Sequence, residues 1–282
     1  MPKQKKMWDN ILTVIMSVLC LLWIYPIVLI LLNSLKKEGT FTTSTVFQLP
    51  TKETFAGLSN YVYGVTKMGF LSSLGYSLLI TITSVFLILL CCSMTGWYLT
   101  RVNNKLSKFM NLLIVFSMVV PFQMVMFTLS KTADQLKLNT PWNICIIYLG
   151  FGAGLAVFMF TGFMKSVPME IEEAAMIDGC SEMKAMWKVM IPMASPGIIT
   201  VTIFNFMNIW NEYFMALIFA NGNDKIRTLS MGLQNMITSM KYTGDWAGLF
   251  AGVIIVLVPT LILYLLLSEK IVAGITGGAV KG

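Results

Sequence analysis

The stretch EEAAMIDGC, residues 172–180, puts Glu172, Glu173 and Asp178 close together in a chain that is 56% hydrophobic and only 12% charged. Clustered acids serve acid–base chemistry, metal ligation, or contact with water and a partner. The first two uses need company that is missing. The chain has no histidine, which removes the usual general base and the commonest zinc ligand. Cys20, Cys91, Cys92, Cys145 and Cys180 have no metal-ligand spacing and read as small apolar packing residues. No catalytic residue and no metal site are expected. Nor is a nucleotide site: GFGAG at 150–154 lacks the dinucleotide spacing and reads as helix packing, and the tail GITGGAVKG lacks the glycine that precedes the lysine of a phosphate loop.

A second polar constellation lies in the apolar run GIITVTIFNFMNIWNEYFMALIFA. Asn205, Asn208, Asn211 and Glu212 recur at three- and four-residue spacing on one helix face, with Trp210 and Tyr213 nearby. Amides and an acid hydrogen-bond sugar hydroxyls, and an aromatic face packs on a sugar's C–H side. Such groups are costly in lipid, so the row faces water or protein. It is either part of a translocation path or hydrogen-bonded glue between helices. Gln123, after Pro121, is a further path candidate.

The elements that carry these residues follow from the charge pattern. Asp, Glu, Lys and Arg are absent between Asp9 and Lys36, Lys67 and Arg101, Lys108 and Lys131, Lys137 and Lys165, Lys188 and Glu212, and Asp245 and Glu269. A helix of about 20 residues crosses the hydrocarbon layer. Six gaps therefore predict six spans, near Ile11–Leu32, Ser73–Leu99, Phe109–Ser130, Asn143–Met164, Gly197–Ala220 and Ala247–Leu267, in an all-α polytopic membrane protein. We expect a single membrane domain over 1–282. The first span is too long for a signal-peptide core and reads as retained. Lys3, Lys5 and Lys6 before it, and Arg101, Lys105 and Lys108 between spans two and three, favour a cytoplasmic N-terminus. The net charge of +7 reads as membrane-surface bias, because no basic patch with interleaved aromatics points to nucleic acid. The 33–72 loop is the longest external segment and has room for a short interfacial helix; NGND at 221–224 is a turn signal. Gly244, Gly248 and Gly252, with Ala247 and Ala251, permit close helix approach.

The opening acids belong to the segment 165–196. Pro168 suits a helix start, and Glu170, Glu172 and Glu173 follow where acids complement the positive helix end. Gly179 lets the chain turn. Met183, Met186, Trp187 and Met190 then recur at helical spacing until Pro192 and Pro196. Two short helices with a glycine bend fit a groove on a partner; the alternative is an interfacial pair with no partner.

Glu173-Ala174-Ala175, Gly179 four residues on, and Ile191-Pro192 resemble the EAA loop of the membrane permeases of binding-protein-dependent ABC importers. Asp178 before Gly179 is similar to the carbohydrate-uptake branch, as is the tail AGITGGAVKG to that of the second permease of maltose-type systems. Cys180 stands where small residues such as Ala are common, and Trp187 where Phe is usual. The resemblance implies a type I importer permease fold. It implies a coupling loop at 165–196 in which Glu172, Glu173, Ala174, Ala175, Asp178, Gly179 and Pro192 meet an ATPase subunit. It further implies a cytoplasmic tail at 268–282, with Gly277, Gly278 and Lys281 between two ATPase subunits. The implied partners are a second related permease in a heterodimer, an ATPase dimer that binds ATP and Mg, and an extracellular or periplasmic sugar-binding protein. The setting would be a bacterial or archaeal cell membrane, with both termini cytoplasmic. This chain would bind no cofactor and catalyse no covalent step. The competing reading is a secondary transporter or channel with Glu212 as its ion or proton site. A membrane-embedded enzyme lacks paired carboxylates in a span.

Overall fold

The computed structural model describes residues 2–43, 45–220 and 227–279. Helices dominate it, since a backbone in lipid must satisfy its own hydrogen bonds. Among the described residues, four helices are long and apolar enough to cross a membrane: α1 (Pro2–Ser34, apolar from Trp8), α3 (Phe70–Arg101), α6 (Ile144–Lys165) and the last helix, Trp246–Ala279. The six expected spans are reached if each of two bent helix pairs counts as one.

Those two pairs depart from the straight spans that the sequence predicts. α4 (Lys105–Ser117) and α5 (Phe122–Gln135) meet at 103°. Pro121 is the cause: it holds an extended backbone ahead of α5 (φ −63°, ψ 136°) and disfavours helix in the residue before it. Glu182–Met193 (α8) and Ser195–Asn211 (α9) meet at 77°. The expected break lies between the two prolines, at Ala194: α8 carries Pro192 directly behind a π turn at Met186–Met190 and ends one residue later, at Met193. Pro196 lies instead in the first turn of α9, where its missing N–H removes no helical bond. The expected span Gly197–Ala220 is also interrupted. α9 stops at Asn211, Glu212 is extended (ψ 132°), and α10 covers Phe214–Ala220.

The chain forms two compact units. The first comprises Met1–Leu71 and Gly232–Thr260, the second Ser72–Met231 and Leu261–Gly282.

In the first unit, the most apolar window of α1 is wholly unburied by the chain itself. The segment after it folds on Lys36, which is 1% exposed. Its Nζ donates to the Thr45 carbonyl at 3.1 Å and lies 5.8 Å from the Phe41 ring centre. Burial lowers the pKa of this ammonium. Asn60 Nδ2 donates to the Ser34 and Lys36 carbonyls, and the Ser34 and Tyr61 hydroxyls are 2.6 Å apart. Asn60 and Tyr61 come from α2 (Ser59–Met68), the short helix for which the loop had room. Met68, Met236 and Ile255 form a small core. Met236 belongs to α11 (Leu229–Thr243), and Gly244 (φ +71°) turns the chain into α12 (Trp246–Ala279). Ala247 and Ala251 are fully buried, and a Cβ on Gly252 would sit 2.8 Å from Met236 Sδ. The small-residue stripe therefore packs within this chain.

The second unit is built around α6. Ile147, Tyr148, Ala156, Val157, Phe160 and Met164 of α6 pack with Ile80, Ile88 and Cys92 of α3 and Val201 and Ile209 of α9. Glycines let the backbones approach: a Cβ on Gly96 would lie 2.7 Å from Phe160, and one on Gly152 2.6 Å from Ile88. Cys92 and Cys145 are buried, whereas Cys20 and Cys91 are exposed, so those two do not pack inside the chain. α12 is helical through Ala279. The segment expected as a tail from 268 thus begins as its continuation, Gly277 and Gly278 included. Lys281 and NGND at 221–224 lie outside the described residues.

Candidate functional site

The segment 165–196 forms an elbow. Pro168 (φ −57°, ψ 141°) leads into α7 (Met169–Ile177), whose first turn holds Glu170 and Glu172. α7 closes where Cys180 N–H donates to the Ala175 carbonyl and Gly179 N–H to the Met176 carbonyl, both at 3.0 Å. This double closure needs a left-handed residue, and Gly179 supplies it at φ +88°. α8 follows.

The elbow has two faces. Glu173, Ala174, Asp178, Gly179 and Pro192 are exposed and Ala175 is half-buried; Ile177 is 86% exposed. It stands between Met176, also exposed, and Asp178. Glu172 departs from the expected set of partner-facing residues. It is 5% exposed and points inward, one helical step from Glu173. Arg101 Nε donates to its Oε1 at 2.6 Å, Arg101 Nη2 reaches the same oxygen, and Trp97 Nε1 donates to its Oε2 at 3.0 Å. Arg101 Nη2 also donates to the Val167 carbonyl at 3.2 Å and approaches Met190 Sδ at 3.5 Å. The end of α3 is thereby tied to the start of α7 and to the π turn of α8. Sequence reasoning missed Trp97 and Arg101. Their signal was present: an arginine at the end of an apolar run needs a counter-charge wherever the fold buries it.

The polar row resolves differently. A cavity of about 180 Å³ is lined by Tyr148, Gly152, Asn205, Asn208 and Glu212, with Phe151 and Leu155 as apolar walls. Asn211 does not line it and donates to the Met207 carbonyl of its own helix at 2.9 Å. Asn205 is buried and donates to the Val201 carbonyl at 2.9 Å. Asn208 is exposed and lines the cavity, and among the described residues none of the three amides bonds a neighbouring helix. The interhelical bond of this site belongs to Tyr148, whose hydroxyl donates to Glu212 Oε2 at 2.9 Å. Glu212 sits at the break between α9 and α10 and caps the latter. The N–H groups of Phe214 and Met215 donate to its Oε1 at 2.6 and 2.8 Å, and that of Ala216 to its Oε2 at 3.2 Å. A carboxylate suits this place because the helix N-terminus presents unpaired N–H groups and partial positive charge. Both oxygens are therefore occupied, which leaves Asn208 as the most available polar side chain of the cavity. Gln123 is exposed on α5 and is not brought to it. A larger cavity of about 650 Å³ opens between Phe158–Ser166 of α6 and its margin and Met193, Ala194 and Pro196, at the corner of the elbow.

Comparison with known proteins bears on this geometry. Residues 88–268 match the family described as "binding-protein-dependent transport system inner membrane component", a stretch that includes both the elbow and the polar cavity. The chain is 34% identical over 271 residues to a probable starch degradation products transport system permease protein of Thermoanaerobacterium thermosulfurigenes, covering 96% of each chain. It is 30% identical over 267 residues to a sulfoquinovosyl glycerol transport system permease protein of Agrobacterium fabrum, covering 94% of this chain and 92% of that one. A crystal structure of a bacterial ABC transporter involved in the import of the acidic polysaccharide alginate contains a chain of the same fold. The TM-score is 0.79 at 22% identity, over 94% of this chain and 97% of that one.

Proposed function

The chain belongs to the family of binding-protein-dependent transport system inner membrane components, and we propose that it is a permease subunit of an ATP-driven importer of a sugar or oligosaccharide. It is a multi-pass membrane transport subunit. The observation that carries the coupling reading is the two-faced elbow: Glu173, Ala174, Ile177, Asp178 and Gly179 face outward while Glu172 is locked inward. A slim exposed helix with a rigid inner anchor is what a moving partner needs in order to push without bending the lever.

In this reading the elbow faces the cytoplasm, as do both termini, and sits in a cleft of an ATPase subunit. ATP and Mg bind on a pair of such subunits. Their closure displaces α7 and α8, and the 77° corner at Ala194 delivers that displacement to α9. α9 carries Asn205 and Asn208 into the polar cavity, so the path alternates between two openings. A second related permease completes the path in a heterodimer, and an external sugar-binding protein supplies the substrate. The relatives' names, starch degradation products and a sulfoquinovosyl glycerol, support a carbohydrate cargo. Gly277, Gly278 and Lys281 reach the ATPase interface.

The test is uptake by the assembled importer in proteoliposomes, with and without ATP. Gly179→Asp places a side chain in a left-handed position at the elbow's tip; sugar uptake and ATPase stimulation should disappear while insertion survives. Uptake that persists without ATP and follows an ion gradient would overturn the proposal in favour of a secondary transporter.

A further inference from the structure

By sequence Glu172 belongs with the partner-facing residues, yet its side chain is 7% exposed and engaged on both oxygens. α7 packs along α8. Between the end of α3 and the elbow lies a cavity of about 250 Å³, with Trp97 and Arg101 on the α3 side, Met169 and Glu172 on the α7 side and Glu182 and Ala185 from α8. What crosses this gap is polar: two guanidinium nitrogens on one carboxylate oxygen and the Trp97 indole on the other. A second arm of the same guanidinium holds Val167, just ahead of α7. A buried pair of this kind moves as a unit, because separating it strands two charges in a poorly solvated place. α3 is one unbroken helix from Phe70 to Arg101, and its middle supplies Ile80, Val85, Ile88 and Cys92 to the main core. The gap around the pair leaves room for the elbow to shift; the pair fixes what must shift with it.

We infer that Arg101, Glu172 and Trp97 form a strut that positions the elbow and passes its displacement to α3. Glu172 is therefore a positioning residue that acts through Arg101, not a residue that touches the ATPase. The inference rests on the ATP-coupled permease reading and adds a second route beside the corner at Ala194: one through α9, the other through the strut into α3. Coupling carried by such a packed polar chain is altered by changes to either member even where no partner is touched.

The test uses the assembled importer with two reporter positions in an otherwise cysteine-free chain. Met183→Cys reports on the elbow and Phe86→Cys on α3; both native side chains are exposed, at 44% and 62%. Spin labels there are read before and after addition of ATP and Mg. In the parent both labels respond. With Glu172→Gln the Met183 label keeps its response, the ATPase still co-purifies, and the Phe86 response falls between about 3-fold and 30-fold. The reversed pair, Glu172→Arg with Arg101→Glu, recovers much of it. A full Phe86 response in Glu172→Gln overturns the strut. Loss of the Met183 response together with loss of the ATPase, unrecovered by reversal, overturns it in favour of direct contact. Should Glu172→Gln fail to assemble, Arg101→Lys keeps the charge but gives up the second nitrogen; an undiminished Phe86 response there overturns the strut equally. A parent in which neither label responds rejects the coupled-permease reading itself, separately from any variant.

Discussion

Glu172 and Glu212 are both acids beside long apolar runs, and the fold satisfies them by opposite means. Glu172 is held from afar: its partners Trp97 and Arg101 lie 75 and 71 residues back in the chain. Glu212 is held almost entirely by its own neighbourhood, through the N–H groups two, three and four residues on, with the Tyr148 hydroxyl as its long-range bond. One is a charge answered by a charge, the other a charge answered by the end of a helix. A carboxylate beside lipid cannot rely on water alone. It needs donors, and a break in a helix provides them as well as an arginine does.

The sharpest way to break this contrast is to remove the distant partner. Arg101→Ala leaves a buried carboxylate alone and should destabilise the solubilised protein by about 3–5 kcal/mol, read from unfolding in detergent. A loss near zero would mean that Glu172 reaches water freely and that the two acids are not different in kind. Glu212→Ala uncaps α10 and should cost about 1–2 kcal/mol in the same assay. Tyr148→Phe removes only the interhelical bond and should cost about 0.6–1.7 kcal/mol; in a double-mutant cycle with Glu212→Ala its effect should vanish, since both changes delete the same contact. Asn208→Leu should leave stability within about 0.5 kcal/mol and lower uptake, because among the described residues its amide bonds no helix. Unchanged uptake would remove Asn208 from the path. The smallest stability change is expected for Glu173→Gln on the outer face, again within about 0.5 kcal/mol, while ATPase co-purification falls. Glu172 and Glu173 are adjacent, so these opposite outcomes from neighbouring positions sharpen the comparison most economically.

Much of the elbow was legible in sequence. Pro168 before α7, acids in its first turn and Gly179 after it are local signals, each with a local cause, and the helix boundaries follow them. The breaks inside the apolar runs were harder. Pro121 was visible, but a proline bends some helices slightly and ends others, and only the packing of α4 and α5 on their neighbours sets a 103° corner. Between Pro192 and Pro196 the signal held, and only the position of the corner, at Ala194 behind a π turn, needed the structure. At Glu212 the periodicity of Asn205, Asn208 and Asn211 suggested one continuous face, whereas the carboxylate's competition for three backbone N–H groups ends α9 and starts α10.

That the protein is helical, membrane-spanning and furnished with an exposed acidic elbow follows from its residues alone. Charge-free runs of span length and the turn-forming residues between them admit little else, since lipid forbids unpaired backbone and hydration favours clustered acids. Tertiary structure alone decided which acid of the elbow faces outward and which locks inward. It also decided that Glu212 caps a helix and that Asn208, of the row, is left available. The inward turn of Glu172 depends on partners 71 and 75 residues back, and the Glu212 site on a break within one apolar run together with a tyrosine 64 residues away; helical periodicity encodes neither.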